Sequence, residues 1–189
     1  IYAWIVNSYL NARLPSQWGD FKRFAQGVES AVALGNVLND PSVKGVIGKT
    51  GAAKSLDDSD DPVQLKTFVK QPAVNIYSNT SVELILTHSS GSPVPGLTKE
   101  RGLPLARAVN SHFSATKLGS QFADGRFLDT AFRSDLRDFG AVSHINEPSA
   151  DEREFLLASL LPTDPLNSTE VERVRTYAYI LFLASLLDR

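Results

Sequence analysis

Residues 18–38, WGDFKRFAQGVESAVALGNVL, decide the fold class. Trp18, Phe21, Phe24, Val28, Val32 and Leu34 recur at intervals of three and four, the spacing that lines one face of an α-helix with apolar side chains. Ser16 stands where a side-chain oxygen can cap the first turn. Gly27 and Gly35 inside the pattern either weaken the helix or admit a close neighbour.

Toward the N-terminus, residues 1–14 read as another helix, with Ile1, Ile5, Tyr9 and Leu10 on one face and Pro15 ending it. In the other direction, Asn39-Asp40-Pro41 reads as a stop and restart, with Asp40 as cap and Pro41 opening a short helix. A glycine-bearing stretch, residues 45–51, follows. Asp57, Asp58, Asp60 and Asp61 form a charged loop, and Asp61-Pro62 begins another short helix through Val69. After Pro72, residues 73–77 and 82–87 read as two strands around Ser78-Asn79-Thr80-Ser81. A lone hairpin is marginal in water, so this one must pack on helices or pair with another chain.

Residues 89–96 are a Ser/Pro/Gly loop, expected to be exposed. Four helical segments come after it. The first covers 103–118. The second covers 126–139, with Phe127, Leu128, Phe132, Leu136 and Phe139 inward and Gly140 as terminator. The third opens on the capping box Ser149-Ala150-Asp151-Glu152. The fourth opens on Thr169-Glu170-Val171-Glu172 and runs to the end. The expected fold is mainly α, a multi-helix bundle with one small β-hairpin at about residues 73–87. A single α-rich domain over 1–189 is expected, the alternative being 1–88 and 97–189 joined by the loop.

Composition narrows the function classes. The chain has 189 residues, 42% of them hydrophobic, enough for a sizeable core. Nineteen basic residues against twenty-one acidic ones give a formal charge of -2, so no global field draws nucleic acid or anionic membrane. The absence of Cys excludes disulfides, thiolate metal sites and thiol catalysis. No signal-peptide pattern opens the chain, and its longest apolar run, residues 177–187, is too short to span a bilayer. A soluble protein is expected. The opening at Ile1 amid apolar residues, with no Met anywhere, reads as a cut through a longer polypeptide.

The sharpest local motif is Val46-Ile47-Gly48-Lys49-Thr50-Gly51. A P-loop would need Gly where Val43 stands. The stretch resembles the GXXG loop of KH domains, in which two glycines let a nucleic-acid backbone approach the main chain between two helices. The resemblance implies RNA binding through Gly48, Lys49, Thr50 and Gly51. It departs from the family at Lys54, where a hydrophobic residue belongs. Arg126, Arg133 and Arg137 on one predicted helix form the best basic patch, a second candidate for RNA, with Asp129, Asp135 and Asp138 interleaved.

Catalytic signatures are missing. His88, His112 and His144 belong to no metal-binding pattern, and no Gly-x-Ser-x-Gly elbow occurs. The acidic loop lacks the Gly and Glu of an EF-hand. Neither a cofactor nor a metal is expected. The closing segment stands out, because it is apolar nearly all round from Tyr177 to Leu187. Such a helix is central in its fold or covered by a partner. The leading expectation is therefore a structural or assembly subunit, coat-like, nucleoprotein-like or a scaffold, that contacts itself or another protein subunit through Tyr177, Ile180, Leu181, Leu183 and Leu187. The alternatives are an RNA-binding module and, with no motif behind it, a hydrolase using a His with a carboxylate.

Overall fold

The structure, a computed structural model, describes residues 1–68, 75, 80–82, 84, 86–89, 91–144, 149–160 and 171–172. Its helices are α1 (Tyr2–Asn11), α2 (Trp18–Asn39), α3 (Lys49–Asp58), α4 (Gly102–Phe113), α5 (Lys117–Ala123), α6 (Arg133–Val142) and α7 (Ala150–Leu160). Among the described residues there are also four two-residue strands: β1 (Val63–Gln64), β2 (Thr87–His88), β3 (Gly96–Leu97) and β4 (Thr130–Ala131). The chain is mainly α with small antiparallel pairings.

The residues picked out in 18–38 fold as read. Phe21, Phe24, Val28, Val32 and Leu34 are all buried, and only Trp18 at the entry of α2 stays largely exposed. α2 packs most extensively on α6, and α1 lies along α4. Aromatic rings knit these layers together. Trp4 meets Phe113 edge-on at 4.9 Å and Phe113 meets Phe139 at 5.1 Å. Each such pair adds about 0.5–1.5 kcal/mol beyond the area it buries. The Trp4 indole donates to Asn110 Oδ1 at 2.9 Å, which satisfies the one polar atom of a fully buried ring. One contiguous buried cluster draws on residues from both sides of the 89–96 loop.

Several local expectations are corrected. The pairing placed at about 73–87 lies further along. Among the described residues of that span, Asn75 and 80–82 are helical, and β2 pairs with β3 across the Ser/Pro/Gly loop. Leu84 N–H bonds to Thr80 O and Leu86 N–H to Ser81 O. The reversal falls instead at Gly91, where φ is +71°. The loop is also not wholly exposed, because Val94 is buried.

A second pairing joins β1 to β4, with Val63 opposite Ala131. It replaces the short helix expected after Asp61 and interrupts the helix expected over 126–139, which begins only at Arg133. Phe127 and Phe132 therefore sit outside the core, 37% and 50% exposed. Gly140 does not terminate α6 but lies inside it. No helix restarts at Pro41. Instead, the Asp40 carboxylate accepts from Ser42 N–H and Oγ, which holds its pKa below the usual carboxylate range. The capping box is found as read: Ser149 N–H donates to Glu152 Oε2 at 2.9 Å and Glu152 N–H to Ser149 Oγ at 3.2 Å.

Candidate functional site

A cavity with a volume of about 590 Å³ lies between α1, α2, α4 and the end of α6. Its walls are chiefly apolar. α1 contributes Ile5, α2 contributes Val32 and Ala33, and α4 contributes Leu105 and Phe113. The 45–47 turn, Phe68, Thr80, Ser81, Leu84 and Leu86 close other sides. α2 turns a second face to this space because its stripe is wide. Val32 and Ala33 point here while Phe21 and Phe24 fill the aromatic layer.

Polar groups interrupt the apolar wall. Tyr2, Ser143 and His144 line the cavity, and Tyr2 Oη, Ser143 Oγ and His144 Nδ1 are buried without a hydrogen-bond partner. Leaving a buried polar atom unmatched costs about 1–3 kcal/mol. Burial pushes the Tyr2 phenol up to about 12, with the Glu29 carboxylate adding to the effect. The phenol is thus a neutral donor at any physiological pH. Glu152 of α7 also lines the space. Position 143 is fixed by Asn36, whose buried amide donates to Val32 O at 2.9 Å and to Ser143 O at 3.2 Å.

The GXXG residues fall at a helix start. Gly48, with φ +82°, precedes α3, and Lys49, Thr50 and Gly51 make its first turn. A Cβ on Gly51 would lie 2.9 Å from Phe68 Cβ, so Phe68 takes the space beside the second glycine. α2 ends at Asn39, well before this point.

The three arginines are not arrayed along one helix. Arg126 lies in the turn before β4, Arg133 opens α6, and Arg137 is exposed one turn later. The Arg133 guanidinium donates to Leu56 O and, at 2.8 Å, to Ser59 O, closing the C-terminal end of α3. Its backbone N–H donates to Asp61 Oδ1 at 2.9 Å. Arg126 lines a small cleft that neither Arg133 nor Arg137 reaches. The interleaved carboxylates pair elsewhere, Asp129 with Arg23 at 3.3 Å and Asp135 with Lys117 at 2.8 Å. The interface residues Tyr177, Ile180, Leu181, Leu183 and Leu187 lie outside the described residues.

Of the histidines, His88 Nδ1 contacts Ser89 O at 3.2 Å, while His112 Nε2 and His144 Nδ1 are buried without partners. None of the three forms a hydrogen bond or ion pair with a carboxylate among the described residues. No helix among the described residues is long and apolar enough to cross a membrane.

Sequence reading missed the cavity's polar wall. Tyr2 sits more than a hundred residues from the adjacent Ser143 and His144, and no spacing rule joins them. The chain matches no family model, no curated protein and no solved structure.

Proposed function

We propose that the chain is a binding module that encloses an apolar small molecule carrying a hydrogen-bonding end. The observation that carries this reading is the chiefly apolar cavity of about 590 Å³ whose lining also includes Tyr2, Ser143 and His144. The volume falls within the roughly 300–1,000 Å³ of small-molecule sites, which are apolar with a few convergent polar groups. Tyr2, Ser143 and His144 bring polar side chains to an otherwise apolar lining, the few polar groups by which such sites orient a ligand. The Tyr2 phenol is a donor and the ligand's end an acceptor, while His144 and Ser143 can act either way. Calorimetric titration with 1-decanol tests the reading. One molecule bound per chain is expected, and the absence of any binding overturns it.

A second reading is an assembly subunit, structural or scaffold-like, whose partner is a second copy or another protein. It is favoured by Phe132, Phe127 and Trp18, aromatic side chains left at the surface among the described residues. Exposed aromatic residues are the usual anchors of protein interfaces. Light scattering across a range of concentrations tests it. A mass that rises with concentration supports assembly of the chain with itself, and a constant monomer mass opposes it.

A further inference from the structure

A second cleft lies where β1 and β4 end against α2, remote in character from the apolar cavity. Its volume is about 180 Å³. Arg23 of α2, Lys66 just after β1 and Arg126 before β4 bring three cations to its walls, against the single carboxylate of Asp129. Leu65 N–H donates to Asp129 O at 2.8 Å, so the strand pairing itself brings Lys66 and Arg126 to the same mouth. Arg23 and Asp129 pair at 3.3 Å with both side chains largely exposed, an arrangement of small energetic worth that a ligand can displace. Among the described residues, no ion pair engages Lys66 or Arg126.

An aromatic ring stands at the rim. Phe127 is 37% exposed, rests edge-on against Phe24 at 5.7 Å, and carries the Arg23 guanidinium 5.7 Å from its centroid. Excess positive charge beside a flat apolar or guanidinium surface is the combination that holds a phosphate and stacks its base. The cleft is smaller than the roughly 300 Å³ at which small-molecule pockets begin, so one tetrahedral anion fits while the rest of the ligand lies outside.

We propose that this cleft takes a backbone phosphate of single-stranded nucleic acid, with the adjoining base stacked at Phe127. Arg23, Lys66 and Arg126 hold the phosphate, and Asp129 releases Arg23 to it. The chain as a whole is slightly acidic, so attraction is local. Affinity is therefore modest, and it falls with salt at a slope of about -0.7 per phosphate contacted.

Fluorescence anisotropy of a labelled oligouridylate, titrated with the full chain at several salt concentrations, tests the proposal. Wild type is expected to bind at low salt. The Lys66→Glu, Arg126→Glu double variant is expected to lose about tenfold or more in affinity, and its salt slope should flatten. Both side chains are exposed, so its circular dichroism and melting temperature should match wild type. Phe127→Leu keeps the apolar contact with Phe24 and should lose about fivefold or more through stacking. Unchanged affinity in the double variant, or no binding by wild type at low salt, overturns the proposal. Competition by inorganic pyrophosphate as effective as that by unlabelled oligouridylate, with Phe127→Leu unaltered, overturns the base-stacking half.

Discussion

Gly35 on α2 and Gly140 on α6 cross backbone against backbone. A Cβ on Gly35 would stand 2.5 Å from Leu136 O and 2.8 Å from Gly140 Cα, and a Cβ on Gly140 would strike the Gly35 main chain in return. The crossing brings the principal helix pair together and sets where Asn36 meets Ser143, and through it the wall of the cavity.

Gly35→Ala and Gly140→Ala should each destabilise the fold by about 1–3 kcal/mol, because backbone cannot move aside as a side chain can. Helix propensity favours alanine by about 1 kcal/mol, so packing decides the sign. The double variant should lose less than the sum of the singles, since both remove the same contact. Gly19→Ala is the internal control: nothing lies within 4 Å of its Cβ, and it should gain up to about 1 kcal/mol. Urea midpoints measure all four.

Arg133 and Arg137 should separate cleanly. Arg133→Ala removes the charged donor that closes α3 at Leu56 O and Ser59 O, for an expected loss of about 1–3 kcal/mol. Arg137→Ala should stay within about 0.5 kcal/mol, as its side chain is exposed. Equal effects in chemical unfolding would contradict the capping role.

Tyr2 makes stability fall at alkaline pH. Its phenol ionises at about 12 in the fold against 10.0 in the open chain, so the folded state holds the proton more tightly. The contribution is fully present below pH 10 and is lost as pH rises toward 12. Tyr9 shifts the same way, chiefly through burial, so part of the slope belongs to it. Tyr2→Phe should shallow the decline of the urea midpoint over that window, and a profile identical to wild type would contradict the burial of the phenol.

Much of the helical scaffold was legible in the sequence because its signals are local. The three- and four-residue spacing around Phe21, Phe24 and Val28 places α2, and Ser149 with Glu152 marks the start of α7. Gly35 inside an apolar helix left open a weakened helix or a close neighbour, and the fold supplies Gly140 as that neighbour. The errors have physical causes as well. Phe127 and Phe132 fit the helical spacing of 126–139, but the long-range pairing of Val63 with Ala131 takes the backbone between them into a strand. Tertiary pairing overrode the local pattern there. The small hairpin is present but shifted along the chain: described residues 80–82 are helical, and the reversal falls at Gly91, with Thr87 opposite Leu97.

Functional sites were much less legible. The GXXG resemblance rests on residue types, and it cannot report that Phe68 occupies the space beside Gly51. The arginine patch assumed one helix, whereas the fold spends Arg133 on α3 and gives Arg126 to Arg23 and Lys66. A cavity is a property of what the chain leaves unfilled. Nothing in the order of Tyr2, Ala33 and Ser143 along the sequence announces it.

Ala33→Phe measures the central claim most directly. Ala33 lines the cavity from α2 and is 3% exposed. The phenyl ring enters the space: the melting temperature should hold or rise while 1-decanol binding, measured by calorimetry on both proteins, disappears. In a fully packed core the same substitution would overpack and cost about 1–3 kcal/mol. A marked fall in melting temperature, or decanol binding equal to that of wild type, would contradict the account.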